Sequence, residues 1–443
     1  MLPIVVYDDG AGELSPLTDL RAAFDVRTGA LTTLERLERV MGTRVAGLRV
    51  PAALAGVTRE RHPGVPVNAP IGAGGRVLLC NGRAPLLTRE ALEELERRGG
   101  RLVRGTGGST AAPQPPHSAH PHALIVEAGE IDRVLSQAPG AGGHTMTFPG
   151  ASALPGLLTR PWHVRACRDA CLDADLALLG AAIESVPPPG GWEGVGSVHI
   201  RGHDLDVHRS ARVFPGVVLD CEAGPIVIDE YAVIRPAATI IGPAYVGPHS
   251  TVLDRAIIKG HTAVGPWCKV AGEVGGTIFQ GFANKAHDGH LGDSWIGEWV
   301  NLGAGTTNSN LLNTYGEVTC RALVGGAPGP NERTGEQFLG AIIGDHVKTA
   351  ISTRIMTGAI VGTGVMWAAT GPLTGTVEPF SWVTDRAGGG ATPRRFAPEK
   401  FEAVMRAAMS RRKVTPSAAY LSRLHEVMKD EGGGAGASAG TAR

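Results

Sequence analysis

The stretch IDEYAVIRPAATIIGPAYVGPHSTVLDRAIIKGHTAVGPWCKV, residues 228–270, decides the fold. An aliphatic residue returns at every sixth position: Ile228, Ile234, Ile240, Val246, Val252, Ile258, Val264 and Val270. A helix of 3.6 residues per turn cannot hold such a stripe on one face, and a plain strand needs period two. A six-residue repeat suits a parallel β-solenoid, in which each repeat forms one flat side of a coil and its aliphatic side chain points inward. The period returns at Ile296, Leu302, Ile343, Ile355 and Val361. Two interruptions are expected, at about Glu273 to Leu291 and from Thr307 to about Leu339. Insertions of this kind emerge as loops on one face and often carry binding sites.

Working outward, the N-terminal part alternates strand and helix signals. Ile4–Tyr7 reads as a buried strand, Thr32–Met41 as a helix, Val77–Cys80 as a strand and Thr88–Arg97 as a helix, which argues an α/β domain with a mostly parallel sheet over residues 1–190. Residues 99–143 are rich in Gly, Pro, Ser and His and read as a flexible insertion. A helix is expected over Asp169–Leu179, and Pro187–Gly191 closes the domain. The solenoid is assigned to 195–376 and a helical extension, with helices at Pro398–Ser410 and Ala418–Lys429, to 377–430. A Gly/Ala tail without means of folding fills 431–443.

Composition bounds the function. The 443 residues carry 42 basic and 42 acidic side chains, so no basic block recommends a nucleic-acid partner. The 63 glycines and 5% aromatics suit tight β corners. The first residues lack a basic n-region and no apolar run reaches membrane-spanning length, so a soluble cytoplasmic protein without a membrane partner is expected. The six cysteines include no CxxC pair. Cys167 and Cys171 share a helix face, but as half a metal site they lack a second pair, and all six read as buried thiols.

The densest chemistry lies in Ala286-His287-x-x-His290-Leu-Gly-Asp293-x-x-Ile-Gly-x-x-Val-Asn301-Leu-Gly-Ala304-Gly-Thr306-x-x-x-Asn310. A histidine with a reference pKa of about 6.5 suits removal of a proton from an amine, and a glycine-rich turn can aim a backbone N–H at an oxyanion. With its hexapeptides, the segment resembles the acetyltransferase half of the bifunctional UDP-N-acetylglucosamine diphosphorylase/glucosamine-1-phosphate N-acetyltransferase family. The likeness covers roughly Arg235 to Thr370, and the whole chain is similar to a divergent branch of that family. The resemblance implies a left-handed β-helix, a homotrimer with sites between subunits, acetyl-coenzyme A as co-substrate and an amino-sugar phosphate as acceptor. It also implies roles: His287 as general base and the Ala304 N–H as oxyanion donor. Arg235 would hold the sugar phosphate, Asn301 and Asn310 the sugar, and Ala369 would touch coenzyme A. His290 stands where the better-known enzyme has a tyrosine, and Lys259, Lys269 and Lys285 are candidates for the phosphate pocket.

The same resemblance makes the first domain nucleotidyltransferase-like, with UTP or another nucleoside triphosphate and Mg²⁺ if it is active. Here Asp8-Asp9-Gly10 stands where the family's glycine-rich loop carries arginine, so Arg21 and Arg27 are the candidates for nucleotide phosphates, with Asn81 and Gly82 beside them. Arg83 occupies the position of the metal-binding aspartate, which leaves Asp8, Asp9 or Asp25 as substitute ligands. Two other classes stay open: a carbonic-anhydrase-type hydratase holding a metal through His261, His287 and His290, and a non-catalytic scaffold with a decayed first domain.

Overall fold

The computed structural model describes residues 2–72, 75–102, 120–136, 145–146, 155–183, 198–387 and 389–430. The chain divides into two compact units: Met1–Leu14 with Leu20–Cys171, and Ser15–Asp19 with Leu172–Arg443. The expected closing segment Pro187–Gly191 and the 431–443 tail lie outside the described residues.

The first unit is built on six strands: β1 (Ile4–Tyr7), β2 (Gly47–Arg49), β3 (Arg76–Asn81), β4 (Arg101–Leu102), β5 (Ala123–Glu127) and β6 (Thr145–Met146). Their order across the sheet is β2-β1-β3-β5-β4-β6. All are parallel except β5, which runs against β3 and β4. The helices are α1 (Thr33–Met41), α2 (Ala55–Arg61), α3 (Arg89–Arg98), α4 (Ile131–Ser136) and the first half of α5 (His163–Gly180), which crosses the boundary after Cys171. α1 begins where it does because Thr32 and Glu35 form a reciprocal capping box, and Thr88 caps α3 by accepting from the Ala91 N–H. Ala123–Glu127 and Ile131–Ser136 correct the expectation of a flexible stretch over 99–143. Part of it is a sheet strand with its helix, and residues 103–119 and 137–143 lie outside the described residues. The Gly/Pro/His composition hid the apolar run Ala123-Leu-Ile-Val126, whose first two side chains are buried.

The second unit is the left-handed parallel β-helix that the hexapeptides imply. Each coil contributes one strand to each of three faces. The first face runs from His199–Arg201 to His290–Gly292, and the second is a nine-stranded sheet from Leu205–Val207 to Thr376–Val377. The third runs from Arg212–Val213 to Asn284–Lys285, continues through the bridge at Asn301 and resumes at Lys348–Thr349. All eight residues of the aliphatic stripe are fully buried in one continuous core. Burial at this level stabilises by about 1.5–3 kcal/mol per aliphatic side chain.

The two expected interruptions have different outcomes. Glu273 to Leu291 is no loop: Glu273–Gly275, Ile278–Phe279, Asn284–Lys285 and His290–Gly292 add to their sheets in order. The period breaks because the coil is shorter. Tyr245 pairs with Ala263, eighteen residues on, whereas Ala263 pairs with Ile278, fifteen residues on. The second interruption is a true excursion. Trp295 pairs directly with Ile342, and the intervening chain forms two small antiparallel ribbons, Thr319–Cys320 with Glu332–Arg333 and Leu323–Val324 with Ala327–Pro328.

At the corner between the second and third faces, Tyr231, His249, Trp267, Phe282, Trp299 and His346 all hold left-handed backbone, with φ from 53 to 62°. Side-chain-bearing residues adopt this conformation at a cost. Their rings stack face to face along the corner with centroids 4.2–6.4 Å apart, which offsets it. Past Val377 the expected helices are present as α6 (Pro398–Ser410) and α7 (Ala418–Asp430). Before them, where no element was expected, the hairpin Ser381–Asp385/Ala391–Arg395 extends the third face.

Candidate functional site

His287 lies on the corner between the third and first faces, on the turn that joins Asn284–Lys285 to His290–Gly292. Ala304 sits on the same corner one coil on. The coils approach closely there: a Cβ on Gly289 (φ +119°) would fall 2.1 Å from the Thr306 carbonyl oxygen, and one on Gly303 2.4 Å from that of Ala350. Glycine is required at both positions. His287, Asp288, Ala304, Gly305, Ile351 and Ser352 line a cavity of about 610 Å³. The Ala304 carbonyl accepts from the Ser352 N–H at 2.6 Å, while the Ala304 N–H has no acceptor among the described residues. The imidazole of His287 is exposed and has no hydrogen-bond partner among them.

Beneath this turn lies a residue whose role the sequence did not reveal. In the register of the third face Lys285 follows Val252 and Val270, so it holds an inward position that is otherwise aliphatic. It is 2% exposed, and its ammonium donates to the carbonyl oxygens of His287 (2.7 Å) and Ala271 (3.1 Å). Burial pushes the ammonium down to about 8, against an opposing pull from Asp288. Lys285 therefore braces the histidine turn from inside. The signal lay in the column itself, where a charge interrupts the aliphatic stripe once the coil is shortened.

The other residues distribute around this corner. His290 and Asn310 converge above Gly292, where an added Cβ would stand 2.7 Å from both the His290 Nε2 and the Asn310 Nδ2. Asn310 donates to Asp293 at 2.8 Å, and His290 lies 3.4 Å from Glu273, which also accepts from Lys259 at 2.5 Å. Lys259 is thus paired. Arg235 sits on the same corner several coils back, over the Phe214 ring, with Asp254 at 3.3 Å; Asp254 itself lines the His287 cavity. Asn301 departs from the expected grouping: it stands on the flat third face, accepts from Asn284 at 2.8 Å, and lines a different cavity under α6. Ala369 is 4% exposed and belongs to the core, so its side chain faces inward rather than toward a cofactor.

In the first unit the candidate nucleotide residues are buried within the protein. Arg21 is fully buried. Arg27, 6% exposed, donates to the Ala30 carbonyl and lies 3.5 Å from Glu35. Asn81 bonds the Pro121 carbonyl and the Arg83 N–H, and Gly82 is pressed against Phe24 and the Tyr7 carbonyl. None of the four presents a group to a phosphate. At the expected metal position Arg83, fully buried, grips Asp9 through two parallel bonds of 2.7 and 2.8 Å and donates to Leu158 O. His120 Nδ1 adds a contact of 2.9 Å to the same carboxylate. Burial alone would raise Asp9, but the Arg83 guanidinium outweighs it and holds the carboxyl below its usual range. Asp8 accepts from the Gly10 and Ala23 N–H groups, and Asp25 from His62. These carboxylates are already committed, and the donor set does not fit Mg²⁺. Among the described residues no three His, Cys, Asp or Glu side chains form a metal-sized cluster, and His261 sits at a different corner from His287. The six cysteines are free and buried. No described helix is long and apolar enough to cross a membrane.

The coil geometry and the corner histidine define the class, a hexapeptide-repeat β-helix protein. Within it the chain is similar, over part of its length, to bifunctional GlmU proteins. It is 29% identical to a bifunctional protein GlmU of Trichormus variabilis over 191 residues, 42% of this chain and 36% of the relative. It is 32% identical over 145 residues to a bifunctional sugar-1-phosphate nucleotidylyltransferase/acetyltransferase of Sulfurisphaera tokodaii, 31% of this chain and 34% of the relative. The matches span about a third of the length of these relatives. No family model matches. Among solved structures, the UDP-N-acetylglucosamine acyltransferase of Francisella novicida aligns over 54% of this chain and 92% of its own at 14% identity, with a TM-score of 0.20.

Proposed function

We propose that the second unit is an acetyl-coenzyme A-dependent N-acetyltransferase acting on an amino-sugar phosphate, with glucosamine-1-phosphate as the first candidate acceptor. The observation that carries this reading is the pairing, in one cavity, of an unpartnered imidazole with an unclaimed backbone N–H. His287 takes the proton from the acceptor nitrogen, whose lone pair attacks the thioester carbonyl carbon. The Ala304 N–H donates to the oxyanion of the tetrahedral intermediate, a contribution typically worth ~3 kcal/mol. The C–S bond then breaks, and the coenzyme A thiolate takes the proton back from the imidazolium. Arg235 lies along the same corner, with Asp254 holding it until a phosphate competes. The cavity is open, and Ile351 on its rim is 74% exposed, which supports completion by a neighbouring subunit in a homotrimer.

For the first unit the relatives' nucleotidyl transfer is not carried over. The Arg83–Asp9 pair occupies the place where a UTP-bound magnesium ion would need oxygen ligands. The role of the chain in supplying UDP-N-acetylglucosamine for the cell envelope accordingly rests on the acetyl-transfer step.

The test is thiol release from acetyl-coenzyme A in the presence of glucosamine-1-phosphate. The wild-type chain is expected to turn over, and His287→Ala to lower kcat by ~10²–10⁴. No release with any amino-sugar phosphate would overturn the assignment and return the choice to a metal-dependent hydratase or a scaffold.

A further inference from the structure

The cavity around His287 changes character along the solenoid axis. Its lining comes from five successive coils, joined in order by bonds from the Leu253 N–H to Val270 O, the Ala271 N–H to Lys285 O, the Leu302 N–H to Asn284 O and the Ser352 N–H to Ala304 O. The charged side chains of the lining, Asp254, Arg255 and Asp288, belong to coils up to and including that of His287. In the two coils beyond it the lining is uncharged: Ala304, Gly305, Ile351 and Ser352. A polar acceptor finds its partners on the first side, and an apolar group finds them on the second.

Ile351 stands out on the uncharged side. It holds the place that Ala304 holds one coil earlier, since both directly precede a left-handed corner residue, Gly305 (φ 72°) and Ser352 (φ 56°). The two corners are pressed together: the Ser352 N–H donates to the Ala304 carbonyl at 2.6 Å, and a Cβ on Gly303 would fall 2.7 Å from the Ile351 nitrogen. Adjacent coils lie about 4.8 Å apart, so a branched side chain stands one coil past the unclaimed Ala304 N–H. Ile351 is 74% exposed and lies outside the solenoid core; among the described residues no large apolar side chain is more exposed. Branching at Cβ leaves it few rotamers, which makes it a firm wall. Its apolar surface is little used by the coil and is available to whatever enters the cavity.

We propose that Ile351 sets the length of the acyl group that the chain transfers, an inference that rests on the acetyltransferase reading of the His287 cavity. In that reading the amine lies at His287 and the carbonyl oxygen at the Ala304 N–H, which places the reacting carbon between the two coils. The other two substituents of the thioester carbon are the sulfur and the acyl chain. The sulfur carries a long polar arm that has to leave the cavity, whereas the acyl chain is apolar and ends inside it. Ile351 closes the space on the uncharged side, so a methyl group fits against its side chain and each further methylene collides with it. The site thereby selects acetyl by exclusion, through a wall one coil beyond the oxyanion donor.

Thiol release by the full chain from acetyl-, propionyl- and butyryl-coenzyme A, with glucosamine-1-phosphate as acceptor, tests the proposal. The wild type should favour acetyl over butyryl by roughly a hundredfold in kcat/KM, about tenfold for each methylene. Ile351→Ala should bring that ratio to within roughly tenfold, mainly by raising the butyryl rate, and Ile351→Val should fall between the two. Inhibition by free coenzyme A, which has no acyl group, should be the same in all three chains. If Ile351→Ala shows altered circular dichroism, Ile351→Val decides alone. A donor ratio unmoved by either substitution overturns the proposal, as does a wild type that uses the three donors equally. Weaker coenzyme A inhibition at an unchanged ratio also overturns it, because Ile351 would then touch the arm instead of the acyl group. A wild type that releases no thiol from any donor is a different failure: it removes the acetyltransferase reading, and the acyl wall with it.

Discussion

In the first unit, charges meet inside. Arg83 and His120 both close on Asp9, and Asp25 meets His62; Arg36 is spent on the Thr28 hydroxyl and on the Leu31 and Pro85 carbonyls. In the solenoid the polar groups at the corner and on the third face are held in place by backbone and left open toward a cavity: His287, the Ala304 N–H and Lys348. Both regions carry the residue types of a phosphate-handling enzyme. The contrast shows that composition at a motif is no guide to availability. A buried cation that has found its carboxylate is architecture, whereas one without a partner is a site in waiting.

The largest effect expected on this comparison comes from opening the closed side. Arg83→Ala leaves Asp9 buried without its guanidinium and should cost ~3–5 kcal/mol in denaturant unfolding of the first unit. Replacing both partners with apolar residues should recover most of that loss. If Arg83→Ala instead gained magnesium-dependent pyrophosphate release from UTP at little cost in stability, the closed reading of the first unit would fail.

On the open side, Lys285→Met keeps the length of the side chain but removes both bonds that brace the histidine turn. Misplacing the base by even a fraction of an ångström should lower kcat for acetyl transfer roughly tenfold to a hundredfold, with a smaller change in KM. The same variant has a pH signature. Lys285 in the folded chain releases its proton near 8, below its value in the unfolded chain, so between about pH 8 and 10.5 the unfolded state binds more protons. Its contribution therefore makes the wild type gain stability as pH rises through that window, and Lys285→Met should lose this slope. An unchanged slope and unchanged kcat would remove Lys285 from the site.

The smallest effect concerns Arg235. Its pairing with Asp254 joins two part-exposed side chains, so Arg235→Ala should leave stability essentially unchanged in denaturant unfolding. If a sugar phosphate displaces Asp254, KM for that substrate should still rise roughly tenfold. A flat KM would confine the acceptor to the residues near His287.

The inward stripe was fully legible in the sequence because six-residue periodicity depends on nothing but side-chain type, and every member of it is in the core. What escaped was anything set by coil length. Dropping three residues between Val264 and Phe279 preserves the register in space but destroys it in sequence, and so a complete coil read as an interruption. For the same reason Lys285 stood only as a candidate for a phosphate pocket, and its inward position beneath the histidine turn went unread. The motif around His287 and Ala304 located its corner because glycines fix it locally. In the first unit, Arg21, Arg27, Asn81 and Gly82 come from the resemblance alone, and their burial, which only the fold decides, was not legible in the sequence.

The stacked rings of the aromatic corner have a consequence for how this molecule can vary. Trp299 and His346 are consecutive rungs, 6.4 Å apart and within 8° of parallel, although the whole excursion from Asn308 to Leu339 is threaded between them. The ladder behaves as a zipper whose teeth engage by shape, indifferent to how much chain hangs between one tooth and the next. Coils are therefore free to lose three residues or to acquire about thirty without losing count. New loops can be grafted beside the His287 corner while the scaffold beneath keeps its pitch.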